Sequence, residues 1–282
     1  MKFLMIVLLA VSAVWAQFGL DRVKDKINSS TQKTKPVTDR AERAADTFSP
    51  WTPEEEQAIG QASAEKMVAM FGFVNAPAIQ QYVNLVGSSV ARYASRELPW
   101  RFGVLDTDIV GAFSLPGGYI FITKGSLVSM TNESQLAGVL GHEIEHVAAR
   151  HLESEIRAAK TSSWASEEAT AKTKTGQQLA RLRADAVLKD LFGSSLSRAK
   201  EDDADEQGAR MAAECGYSGS GLLEFIKILS VENANPDNQR LFGQLLSTHP
   251  SFDARIDRLS ALPSNRSKGK TLEARFARTL GR

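Results

Sequence analysis

Cysteine is almost absent: Cys215 is the one thiol in 282 residues, which excludes a disulfide-stapled scaffold. An excess of charge is missing too, with 34 Lys plus Arg against 33 Asp plus Glu. That balance carries no electrostatic footprint for nucleic acid or anionic lipid. No apolar run long enough to cross a bilayer interrupts the interior of the chain, and neither common Gly-rich phosphate loop, internal repeat nor coiled-coil heptad run occurs. What is present is ordinary globular usage, 43% hydrophobic and 24% charged, at a length that supports one or two domains with a full core.

The first apolar stretch is also the longest. Residues 1–16 hold one charge, Lys2, then an unbroken apolar run from Phe3 to Val11, then a small-residue end at Ala16. This layout predicts a secretory signal peptide cleaved before Gln17; an uncleaved anchor reaching Leu20 is the other reading. Cleavage removes Lys2 alone and leaves 33 basic against 33 acidic residues. No cysteine follows the run, so a lipid anchor is not expected. Either way the remainder lies outside the cytoplasm, with the periplasm as the expected compartment and no stable membrane insertion after cleavage. An unpaired thiol there is best buried, and Cys215 closes an Ala-rich helical pattern.

Residues 17–50 are polar and without sustained periodicity, and read as a linker arm. A folded domain is expected over 51–263, followed by a polar tail at 264–282. Thr52, Pro53 and the acids Glu54 to Glu56 predict a helix start running to about Met70. A second helix is expected over 77–96, from apolar spacings of three and four at Ile79, Val83, Val86 and Val90. Strands are predicted near 102–105, 109–115 and 119–123, with Pro116, Gly117 and Gly118 turning between the last two. Asn132 and Gln135 form a capping-box signature for a helix passing beyond His151. Residues 160–176 turn to Ser, Thr, Ala and Lys and read as a mobile insertion. Helices follow at 177–192, 197–215, 221–231 and 253–262. The fold class is therefore α+β, mainly helical, with a small three-stranded sheet.

Three of the four histidines lie between 142 and 151. His142, Glu143, Ile144, Glu145 and His146 read HExxH on a predicted helix, where a spacing of four stacks both imidazoles on one face about 6 Å apart. Both can donate a nitrogen to one Zn²⁺ at about 2.1 Å, and Glu143 reaches the metal's water without being a ligand. On the helical wheel Leu136, Leu140, Ile144 and Val147 lie opposite the histidine pair. A third ligand six residues after His146 would be Leu152, so the metzincin pattern fails. His151 lies half a turn out of phase with His142 and reads as a solvent-facing helix residue. In SRAKEDDADEQG (197–208) Glu201 shares its face with Asp205, Gly208 and Ala212, a small-residue stripe that brings both carboxylates inward against another helix. Zinc would supply a partner for Glu201, and Asp205 is placed to accept from the distal ring N–H of a ligand histidine.

HEIEH at 142–146, SRAKEDDAD at 197–205, FSLPGGYIFITKG at 113–125 and THPSFDARI at 248–256 together resemble the zinc metallopeptidase family of HtpX, the CAAX prenyl endopeptidases and the periplasmic BepA and LoiP proteases. The likeness covers roughly 52–262 in the right order. It implies a zincin-like fold of the gluzincin kind, one Zn²⁺ on His142, His146 and Glu201, Glu143 as general base, and an edge strand beside the active-site helix, at Ala112, Phe113 and Ser114, that binds substrate backbone. Since no internal membrane span occurs, the soluble periplasmic branch is the nearer likeness. One departure stands out: the position before Ala112, commonly asparagine in the family, is Gly111.

The function these features imply is zinc-dependent cleavage of unfolded or misfolded envelope polypeptides, with outer-membrane assembly components as candidate partners. A chaperone-like binding protein with a structural or latched zinc is the alternative. His249 has three readings: a loop residue capping the following helix, a donor to the transition state, or a latch in the open zinc position.

Overall fold

The computed structural model describes residues 50–159, 176–193, 196–233, 249 and 252–282. The predicted signal peptide and arm, and the predicted insertion up to residue 175, lie outside the described residues. The chain divides into two units, residues 1–50 and 51–282, and every element named below belongs to the second.

Ten helices and three strands follow one another in the described residues. Helix α1 (Pro53–Phe71) starts as its sequence predicts: the Thr52 hydroxyl accepts from Glu55 N, and the Glu55 carboxylate accepts from Thr52 N. Helix α2 (Pro77–Val90) ends six residues early, because Ala91–Tyr93 tighten into a 3-10 turn. Strands β1 (Arg101–Leu105), β2 (Ala112–Leu115) and β3 (Tyr119–Thr123) pair in the order β1-β3-β2, parallel between β1 and β3 and antiparallel between β3 and β2. The β2–β3 turn at Pro116–Gly118 holds Gly117 and Gly118 at φ 74° and 88°, conformations that glycine alone adopts without strain. Strand β2 begins three residues later than expected. Gly111 precedes it with its N–H donated to the side chains of Ser126 (Oγ) and Thr123 (Oγ1), while its carbonyl still accepts from Thr123 N.

After the short α3 (Lys124–Ser129), helix α4 (Glu133–Ala148) carries HExxH. The Asn132 side chain accepts from Gln135 N, while Gln135 Oε1 accepts from Thr131 N instead of closing the box on Asn132. Every residue of α4 is buried, so it is the central helix of the unit. The expected continuation past His151 does not occur: Arg150 adopts φ 56° and a new helix, α5 (His151–Ala159), begins. Such a conformation costs a non-glycine residue of order 1 kcal/mol and persists where the surroundings over-determine it. Here the Arg150 guanidinium reaches Trp51 O, Glu153 and Glu56.

The remaining elements are α6 (Gly176–Gly193), α7 (Arg198–Glu214), α8 (Gly221–Asn233), α9 (Phe252–Ala261) and α10 (Glu273–Leu280). Edge strand β2 and helices α2, α7 and α8 pack around α4. The core joins Phe102, Ile120 and Ile122 of the sheet to Leu136, Leu140 and Ile144 of α4 and to Met211 and Phe225. The expected polar tail needs correction. Its last helix buries Phe276 completely, and Arg275 donates to Glu133 at the start of α4, an anchor that composition alone hides. No described helix is long and apolar enough to cross a membrane.

Candidate metal centre

Two helices build the centre, and two glycines set their distance. A Cβ on Gly141 would lie 2.7 Å from Gly208 O, and one on Gly208 would lie 2.5 Å from His142 N, so α4 and α7 touch backbone to backbone. That contact brings Glu201, two turns before Gly208, over the histidine face of α4. His142, His146, Glu201 and His249 each offer one ligand atom, and these atoms lie within 4.8 Å of one another. His142 Nε2 and His146 Nε2 are 2.9 Å apart, and Glu201 Oε1 lies 3.5 Å from His146 Nε2.

The donor chemistry fits a divalent cation. Glu201 Oε1 is buried without a hydrogen-bond partner, a costly state for a carboxylate oxygen unless a cation faces it. Burial, with His142 beside it, holds His146 well below the ordinary imidazole value, so the ring is neutral with a lone pair to donate. Burial pushes the Glu201 carboxyl up, but the imidazoles of His249, His146 and His142 outweigh it and leave the group below the usual carboxylate range. His249 Nδ1 sits 2.6 Å from Glu201 Oε2, and that carboxylate lifts its pKa although burial works the other way. Its ring therefore faces the centre, not the first turn of α9, and the capping reading of His249 is set aside.

Asp205 lies one turn beyond Glu201, as the wheel predicts, with Oδ1 3.0 Å from His142 Nδ1. Its other partner is one that helical spacing does not reveal. Arg255 from α9 grips the same carboxylate twice, Nε to Oδ2 at 3.0 Å and Nη2 to Oδ1 at 2.6 Å. Burial raises the Asp205 pKa, and Arg255 together with His142 more than reverses it, keeping the acid ionised. The only sequence signal was the position of Arg255 inside the THPSFDARI segment.

Glu143 is buried on the cleft side of α4. A cleft is lined by Glu143, His146, His249 and the β2 residues Ala112, Phe113 and Ser114. Leu191 and Leu196 line it as well. A second cavity is lined by Glu143 together with Val139, Leu222, Phe225 and Ile226. Phe113 packs against Phe71 and Phe192, with ring centroids 6.4 and 5.6 Å away. The predicted site residues thus converge on one place.

His151 is the exception to its prediction. It is buried, and its Nδ1 lies 3.0 Å from His146 Nδ1. The chain breaks at Arg150, so His151 does not continue the phase of α4 and turns back onto His146. Nearby, burial, with Asp203 adding to it, raises the Glu145 carboxyl to about 7.

Comparison with known proteins agrees with this geometry. The sequence pattern of "Peptidase family M48" matches residues 77–262, two thirds of the chain. The chain is 26% identical to the beta-barrel assembly-enhancing protease of Yersinia pestis over 213 residues, 72% of this chain and 43% of that protein. It is 29% identical to the metalloprotease YcaL of Escherichia coli K12 over 132 residues, 47% of this chain and 52% of that protein. The mitochondrial metalloendopeptidase OMA1 of Bos taurus is 28% identical over 176 residues, 59% of this chain and 33% of that protein. The chain thus spans only about half or less of each of these relatives.

Proposed function

Because the chain belongs to peptidase family M48, its residues 77–262 being a domain of that family, we propose that it is a zinc-dependent endopeptidase of the periplasm that cleaves unfolded or misfolded envelope proteins. The observation that carries this reading is the convergence of His142, His146 and Glu201 from two helices, beside Glu143 and under an edge strand.

His142, His146 and Glu201 would hold the ion. The chemistry that zinc supplies in such a donor set is Lewis acidity, which activates water at neutral pH and polarises a peptide carbonyl. Glu143 is the base: its carboxylate takes the proton of the attacking water and passes it to the leaving amine. The substrate backbone lies extended along Ala112, Phe113 and Ser114, as an added strand on β2. An extended segment is available in an unfolded chain and hidden in a folded one, which selects misfolded substrates. Asp205, clamped by Arg255, holds the His142 ring in place.

His249 we read as a latch: a fourth donor that competes with water for the open position. Four ligand atoms within 4.8 Å support it. The same closeness favours the second reading, a chaperone-like protein whose zinc has four protein ligands and no turnover. Partners in beta-barrel assembly are suggested by the names of the relatives, of which this chain spans less than half, and an outer-membrane site for that assembly is part of this proposal.

The test is cleavage of unfolded casein and of a tightly folded control by the zinc-loaded protein, before and after chelation and zinc return. Cleavage confined to casein, lost with the chelator and recovered with zinc, is expected. Casein left intact by the loaded wild type and by a His249→Ala variant would contradict the proposal.

A further inference from the structure

His146 has two ring nitrogens with different neighbours, and one of them has no assigned role. Nε2 faces His142 Nε2 at 2.9 Å and Glu201 Oε1 at 3.5 Å. Nδ1 points the other way and meets His151 Nδ1 at 3.0 Å. Of two imidazole nitrogens at that distance, one donates and the other accepts. If Nε2 of His146 is to offer a lone pair, its proton sits on Nδ1, so His146 donates and His151 accepts. The proton of a neutral His151 is then on Nε2, which lies 3.4 Å from Asp203 Oδ2 on α7.

We propose that His151 is a positioning residue for the metal centre, accepting from His146 Nδ1–H and thereby fixing the tautomer and ring plane of the second histidine ligand. The two ligand histidines are thus held differently: His142 by the carboxylate of Asp205 directly, His146 by a carboxylate relayed through another imidazole. The turn at Arg150 makes this arrangement. With φ 56° it ends α4 and starts α5, and so brings a residue five positions on back onto His146. Asp203 belongs to the helix that carries Glu201, so the relay also ties the two ligand-bearing helices together. Its side chain is 44% exposed, so it sets the orientation of His151 with less force than a buried acid would.

This inference rests on the metal reading above, and its test separates the two. Zinc affinity is measured by competition with a chromophoric chelator at pH 7.5 for wild type, His151→Leu and His151→Asn. Leucine fills the space without an acceptor, whereas the asparagine amide oxygen falls near the position of Nδ1. A loss of about 10- to 100-fold in zinc affinity for His151→Leu, with His151→Asn within about threefold of wild type, is expected. The same pair is compared by nitrogen-15 NMR of histidine-labelled, zinc-loaded protein, where a slowly exchanging His146 Nδ1–H should persist in the asparagine variant and vanish in the leucine one. Circular dichroism of the metal-free proteins checks that both fold. Wild-type affinity in His151→Leu would overturn the proposal, as would equal losses in both variants, which would assign the ring to packing alone. A wild type without zinc affinity would overturn the metal reading itself.

Discussion

Gly208→Ala adds one methyl where α7 meets α4, and the structure sets the size of its effect. The new Cβ would stand 2.5 Å from His142 N, 2.8 Å from His142 Cα and 2.9 Å from Gly141 C. All three are backbone atoms, so no side chain can turn away. Carbon contacts settle at about 3.5 Å or more, and the helices must therefore part by about 1 Å at this point. Overpacking of this kind costs roughly 1–3 kcal/mol, and the helical preference of alanine over glycine returns about 0.5–1 kcal/mol. The net loss is therefore roughly 0–2.5 kcal/mol, centred near 1 kcal/mol. The consequence for the site is larger, because Glu201 rides on the helix that moves and His142 on the one it moves from. Zinc affinity should fall about tenfold or more, the scale seen when ligand orientation is disturbed. Urea unfolding and chelator competition read the two effects. Gly193→Ala is the control: no atom lies within 4 Å of the methyl it adds, and it should be neutral or slightly stabilising. Unchanged stability and unchanged zinc affinity in Gly208→Ala would refute the claim that the glycine contact sets the ligand geometry.

The Glu145 carboxyl, raised to about 7 in the folded protein, titrates near 4.3 when unfolded, so wild-type stability should fall as pH climbs between those values. Glu145→Gln removes that loss: it should be more stable than wild type at pH 8 and close to it at pH 4, as urea midpoints at the two pH values will show. Glu133 accepts from Tyr82 Oη at 2.6 Å, Tyr217 Oη at 2.7 Å and Arg275 Nε at 2.6 Å while fully buried. Glu133→Ala strands those donors and should cost roughly 2–4 kcal/mol in the same assay; a cost under about 0.5 kcal/mol would show that the anchor contributes little. His249→Ala should raise basal casein cleavage if the latch reading is right, whereas a drop of about 100-fold with zinc retained would assign the ring to the transition state instead.

The parts of the site that follow from helical spacing were legible in the sequence. His142 and His146 stack because they are four apart, and Glu201 and Asp205 turn inward because Gly208 and Ala212 share their face. The helix starts at Thr52 and Asn132 were legible for the same reason, since caps are local chemistry. Long-range geometry was not. Arg255 meets Asp205 across 50 residues, and nothing in its local pattern marks it as buried. Arg150 carries no glycine-like signal for its left-handed turn, so the pattern reads as one continuous helix with His151 facing solvent. The C-terminal segment reads as polar because one buried residue, Phe276, anchors it among many charged ones.

The central claim is that Glu143 is the base at a metal held by His142, His146 and Glu201. The measurement that tests it most directly is the zinc content of Glu143→Gln and wild type, taken on the same samples whose casein cleavage is followed. One zinc per chain in both proteins, and cleavage by the wild type alone, are expected. Zinc lost from Glu143→Gln, or cleavage kept by it, would contradict the claim.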